Sequence, residues 1–128
     1  MKPRFLGLAR KIACTSDSKF RVGAVLTKGN SIMGLGCNDM SKSHPLMTEY
    51  SIGTRKPLIR VHAELAACRG WKPGEIDKRF SLYIYRVRKD GSAGLAKPCD
   101  VCFRIIQEAG VHRIYFSLDD AGFGELRW

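Results

Sequence analysis

The chain has no apolar run near the roughly 18 residues of a membrane-spanning helix, which argues against a helical membrane span. Its N-terminus also lacks the continuous apolar stretch of a signal peptide. The five cysteines are an odd number without disulfide-like spacing, so a disulfide scaffold is excluded and a reducing cytosol is expected. No internal repeat, linker or low-complexity segment breaks the sequence, and residues 1–128 read as a single domain able to fold around its own core. Carboxylates are scarce: 12 Asp and Glu face 22 Lys and Arg, a formal net charge of +10. Such a field favours polyanions and can sustain sequence-independent nucleic-acid binding. The basic residues gather in Met1–Lys28 and Arg69–Lys89, whereas Ser117–Trp128 is acidic. Aromatic and basic residues do not interleave, so no strand-binding groove is marked.

What is present follows an α/β order. Phe5, Leu8, Ala9, Ile12 and Ala13 recur at i, i+3, i+4 spacing and predict an amphipathic helix from about Pro3 to Cys14, ending in Thr15-Ser16-Asp17-Ser18. Val22, Ala24, Val25 and Leu26 mark a first strand, and Lys28-Gly29-Asn30 turns it into a second at Ser31–Cys37. Asn38 to Arg60 has few periodic apolar positions and reads as a loop region. A helix is expected from Val61 to Gly70, a third strand at Leu82–Val87, a helix from about Cys99 to Ala109 stopped by Gly110, and a fourth strand at His112–Phe116. Ser117–Trp128 is short for further regular structure, which leaves the fourth strand as a sheet edge unless the tail or a neighbouring subunit covers it.

Chemistry concentrates in two short stretches, His62-Ala63-Glu64 and Pro98-Cys99-Asp100-Val101-Cys102. Zinc takes N and S ligands tetrahedrally, and catalytic sites use three protein ligands plus water. His62, Cys99 and Cys102 make such a set, with Glu64 placed to move protons beside the water, whose pKa a bound metal lowers to roughly 7. Cys-x-x-Cys at a helix start aims two thiols at one spot, and the helix dipole favours their ionised form. Pro98 suits the position before that helix. Alone, Cys-x-x-Cys could be a redox pair or half of a structural zinc site, and His-x-Glu an ordinary surface pair. A structural site needs a fourth ligand, yet none of Cys14, Cys37, His44, Cys68 and His112 is paired at a ligand-like spacing.

His-x-Glu followed by Pro-Cys-x-x-Cys is the signature of zinc-dependent nucleobase deaminases, and from Arg10 to Phe116 the chain resembles the cytidine deaminase superfamily. Histidine as the nitrogen ligand is similar to the deoxycytidylate and tRNA adenosine deaminases; the small free-cytidine enzymes usually carry cysteine there. Phe20–Val25, Gly34–Asn38 and Cys102–Gly110 resemble the deoxycytidylate branch, including small phage-type members. The resemblance implies a three-layer α/β/α fold with a central mixed sheet of four or five strands, a cytoplasmic protein of a bacterium or phage-infected cell, and a homo-oligomer. It implies Zn2+ on His62, Cys99 and Cys102, Glu64 as the catalytic proton carrier, and hydrolytic deamination of cytosine in a small nucleotide, dCMP to dUMP. The segment between Asn38 and Arg60 lacks the longer insertion of allosterically controlled relatives, so nucleotide regulation does not follow.

Substrate contacts are expected at Asn38, Ala63, His44 and Arg21. Asn38 matches the asparagine that binds the sugar in relatives, and is also a common turn residue after a strand. His44 can reach a phosphate or base, or lie on the surface. Arg21, with Arg55, Lys56 and Arg60, can hold a 5′-phosphate or form a solvated face. Tyr85, Trp71 and Trp128 could stack on a base, with core or subunit packing the ordinary reading of the two tryptophans. Two other functions remain open: deamination of cytosine or adenine within single-stranded DNA or tRNA, and a non-catalytic, zinc-stabilised nucleic-acid-binding module.

Overall fold

Period-two alternation along three strands divides the interior into two unlike layers. In the computed structural model, residues 2–14, 21–37, 75–98, 100–120 and 122–128 are described. They form α1 (Pro3–Ala13), β1 (Arg21–Lys28), β2 (Ser31–Cys37), β3 (Phe80–Val87), β4 (Ala93–Gly94), α2 (Asp100–Ala109), β5 (Arg113–Ser117) and β6 (Phe123–Arg127). The sheet runs β2-β1-β3-β5-β6, with β4 paired to β3. It is mixed: β3 and β5 are parallel, and the other pairs are antiparallel.

Ala24 and Leu26 of β1, Leu82 and Ile84 of β3, and Ile114 and Phe116 of β5 point to one face, where Ile106 of α2 packs on them. The alternate residues Val25, Tyr83 and Tyr115 point to the other face and meet Phe5 and Ala9 of α1. The helices therefore lie on opposite sides of the sheet, giving the expected α/β/α layering. No helix among the described residues is long and apolar enough to cross a membrane.

The helix termini follow their local chemistry. Pro3 opens α1, where its missing N–H costs nothing. Phe5, Ala9 and Ala13, spaced by four, form the buried stripe. Glycine at position 23 lets α1 settle directly on β1, since a Cβ there would lie 2.2 Å from the Ala9 carbonyl oxygen. Gly110, at φ +108°, ends α2 in the left-handed region where glycine carries no Cβ penalty.

The tail departs from expectation. Phe123–Arg127 forms β6 and pairs along all of β5, so the chain's own C-terminus covers that edge. Trp128 then packs edge-on against Phe103 of α2, ring centroids 4.9 Å apart, and its N–H donates to the His112 carbonyl at 3.2 Å. Packing, not stacking on a base, is the role its surroundings give this tryptophan. The short β4 was likewise absent from the sequence reading.

Candidate active site

The carboxyl ends of β2, β3 and β5 gather at one end of the sheet. Register places them: Cys37 of β2 faces Gly23, Val87 of β3 faces Arg21, and Phe116 of β5 runs beside Ile84. In open α/β sheets the carboxyl ends of parallel strands are where ligands bind, because the following loops and helix N-termini converge there. Asn38 is the residue that follows β2 in sequence, and Pro98 to Cys102 leads into α2 from the same end.

Ser117 holds that lead-in. It is fully buried at the end of β5, and its hydroxyl donates to the Gly94 carbonyl at 2.6 Å while accepting the Arg86 N–H at 3.0 Å. Its own carbonyl accepts the Ala96 N–H at 3.0 Å. One residue thus joins the end of β3, the two-residue β4 and the strap 95–98. Asp119 adds a second tie, accepting the Leu95 N–H at 2.9 Å and pairing with the Arg88 guanidinium. Ala96 and Pro98 are buried along the strap while Leu95 is exposed. The backbone leading to Cys99 is therefore pinned from two sides. The sequence reading missed Ser117 and Asp119; the only local signal was a small polar residue closing an apolar strand.

The residues singled out by sequence are placed unequally. Cys102 lies in the first turn of α2, which begins at Asp100. Arg21 opens β1, and its Nη2 donates to the Arg88 carbonyl at 2.7 Å, so part of its guanidinium is engaged by the turn after β3. Asn38, His44, His62, Ala63, Glu64 and Cys99 fall outside the described residues, as do the expected helix Val61–Gly70, the Asn38–Arg60 segment and Trp71. Tyr85 is half-buried beside the α1 layer. Of the other cysteines, Cys14 is exposed and Cys37 half-buried, both free thiols.

Among the described residues no group of three His, Cys, Asp or Glu side chains could hold a metal, and of the donors the sequence names only Cys102 is among them. One imidazole and two thiols suit zinc by softness and number.

Comparison with known proteins bears on the whole region. The family described as "Cytidine and deoxycytidylate deaminase zinc-binding region" matches residues 2–118, a span that contains both halves of the motif. A search of curated proteins by sequence gives no match. Among solved structures, the dCMP deaminase of cyanophage S-TIM5 in complex with dCMP and dUMP is similar at 25% identity and TM-score 0.59, covering 92% of this chain and 84% of that one. The apo form of that enzyme aligns with the same TM-score of 0.59 at 23% identity, covering 92% and 86%. A cytidine deaminase from Burkholderia pseudomallei shares the fold at TM-score 0.65 and 18% identity, covering 99% of this chain and 92% of that chain.

Proposed function

From the premise that the chain belongs to the cytidine and deoxycytidylate deaminase family, we propose that residues 1–128 act as one domain that hydrolyses dCMP to dUMP and ammonia. The observation that carries the reading is the pinned strap. It ties residues 94–96 to the ends of β3 and β5 just before α2, whose first turn contains Cys102. The cyanophage dCMP deaminase solved with dCMP and dUMP supports the choice of a mononucleotide.

In this reading His62, Cys99 and Cys102 hold zinc, which supplies the Lewis acidity that makes water nucleophilic at neutral pH. Glu64 takes the proton of the attacking water and delivers it to cytosine N3, so that C4 becomes electrophilic. Once the new C–O bond has formed at C4, Glu64 takes the remaining proton of that hydroxyl and passes it to the exocyclic amino group, so that the C4–N bond breaks, ammonia leaves and the C4 oxygen becomes the uracil carbonyl. Asn38 orients the sugar through an amide that both donates and accepts. Ala63 and His44 are the further substrate contacts of this reading, His44 toward the phosphate or base, and Arg21 contributes charge toward the 5′-phosphate. The Arg21 guanidinium has N–H groups beyond the one aimed at the Arg88 carbonyl.

A second reading, deamination of a base within a polynucleotide, is favoured by the net charge of +10. Incubating the zinc-loaded chain with cytidine, CMP, dCMP, dCTP and cytosine- or adenine-containing oligonucleotides, and following product masses, separates the two. Conversion of dCMP with the oligonucleotides untouched is expected. Conversion of oligonucleotides alone would overturn the mononucleotide assignment. Glu64→Gln should keep stoichiometric zinc while kcat falls by about 10²–10⁴; near-normal turnover would remove Glu64 from its role.

A further inference from the structure

The α1 layer carries a feature the deamination motif does not use. Between α1 and the β1–β2 hairpin lies a groove of about 820 Å³, lined in part by Arg4, Leu8, Arg10, Lys11, Asn30 and Ile32. Among the described residues no carboxylate lines it. Lys2 and Arg4 both donate to the one Asn30 Oδ1, Arg4 at 3.1 Å, so two cations share a neutral acceptor. Elsewhere among the described residues acidic side chains neutralise basic ones, as in Arg79–Asp77, Arg88–Asp119 and Arg127–Glu125. The floor is apolar, with Leu8 half-buried and Ile32 49% exposed.

We propose that this groove docks the sugar–phosphate backbone of single-stranded nucleic acid, on the face of the sheet opposite the helix that carries Cys102. Arg4 and the Arg10–Lys11 pair stand six or seven positions apart on one helix, roughly 9–10 Å along its axis. One phosphate cannot bridge that span, whereas successive phosphates of a strand can occupy both ends. Unpaired cations gain most from a polyanion because each neutralised phosphate releases a counterion. The apolar floor accepts exposed base faces, which a duplex keeps stacked inside. The proposal does not rest on the deamination substrate: it describes a tethering site apart from the catalytic motif, whether the base turned over is free or in a strand.

The test uses the full zinc-loaded chain and a fluorescein-labelled oligothymidylate of about 15 nucleotides, followed by anisotropy between about 50 and 200 mM salt. Four cations, Lys2, Arg4, Arg10 and Lys11, predict a slope of log K against log salt near −3, at roughly 0.7 per neutralised phosphate. Arg10→Gln with Lys11→Gln should flatten the slope by about 1.4, while Lys78→Gln with Lys89→Gln, equal in net charge and remote from the groove, should leave it nearly unchanged. Equal losses in the two pairs, or no binding at the lowest salt, would overturn the site. Equal affinity for a polyglutamate of similar length would reassign it to acidic peptides. A change in sedimentation with an unchanged slope would assign the groove to a second copy. Turnover of dCMP should be the same in both variant pairs. If the wild type turns over no dCMP yet the slopes behave as stated, the proposed reaction fails and the groove stands.

Discussion

The two faces of the sheet are built from the same strands and from different chemistry. Toward α2 the packing is mostly aliphatic, Leu26, Leu82, Ile84, Ile106 and Ile114, with no polar atom on any of these side chains. Toward α1 it is aromatic: Tyr83 stacks on Tyr115 at 5.0 Å and tilts against Phe5 at 5.5 Å, and its hydroxyl accepts the Lys2 N–H at 3.0 Å. An aliphatic layer fixes a helix through shape, so it locates the Cys102 turn closely and tolerates little change of volume. An aromatic layer with a polar tip fixes the start of a helix as well as its face. The first face serves the candidate metal site, and the second carries the cationic groove.

That division can be broken experimentally. The largest effect is expected from Ile106→Ala, which should cost about 2–5 kcal/mol in urea unfolding and also speed zinc loss to a chelator. If zinc retention is unchanged, the aliphatic face does not locate the ligands. Gly23→Ala drives a Cβ into the α1 backbone and should cost about 1–3 kcal/mol, with full zinc stoichiometry and weaker oligonucleotide binding. Ser117→Ala removes both bonds of its hydroxyl, about 0.5–1.5 kcal/mol each. Zinc affinity should fall more than thermal stability alone accounts for, since the strap leads into Cys99, and Ser117→Thr should restore part of it.

Two pH experiments sharpen the comparison at smaller scale. Burial pushes the Tyr83 phenol up from its ordinary value. A raised folded pKa stabilises the fold below the unfolded value near 10 and loses that contribution as pH climbs through the folded value. Tyr83→Phe should therefore flatten the alkaline limb of a stability–pH curve; an unchanged limb would remove Tyr83 as its source. In the turn before β3, the Arg79 guanidinium and N–H hold the exposed Asp77 carboxyl at about 2. A depressed carboxylate contributes above its unfolded value and loses that contribution as pH falls toward about 2. Its carboxyl resonance should titrate near that value and return toward 3.8 in Arg79→Ala.

The two layers were legible in the sequence to different degrees. Apolar and β-branched runs bounded by turn residues gave β1, β2, β3 and β5 to within one or two residues, and the i, i+3, i+4 spacing of Phe5, Leu8, Ala9, Ile12 and Ala13 gave α1, because each signal is local. β6 escaped because an edge strand buries no full stripe: Phe123, Glu125 and Arg127 alternate with only half-buried Gly124 and Leu126. Its pairing with β5 depends on backbone bonds that composition does not encode. β4 and the Ser117 clamp escaped for a related reason, since their partners lie far apart in sequence. Each half of the zinc motif is a short local pattern that the sequence names outright, while His62, Glu64 and Cys99 fall outside the described residues. Arg21 was readable only as a cation; its bond to the Arg88 carbonyl depends on the turn after β3.

The Ser117 hydroxyl and the Arg86 N–H that it accepts are 31 positions apart, and the parallel pairing of β3 with β5 spans a similar distance. Closing such a loop must precede any reward from its contacts, so this crossover belongs to the slow part of folding, after the β1–β2 hairpin with its two-residue turn. Cys102 lies inside the loop. During synthesis α1 can pack on Val25 of the hairpin early, while its contacts with Tyr83 and Tyr115, like the turn that contains Cys102, wait until β3 and β5 have emerged and paired.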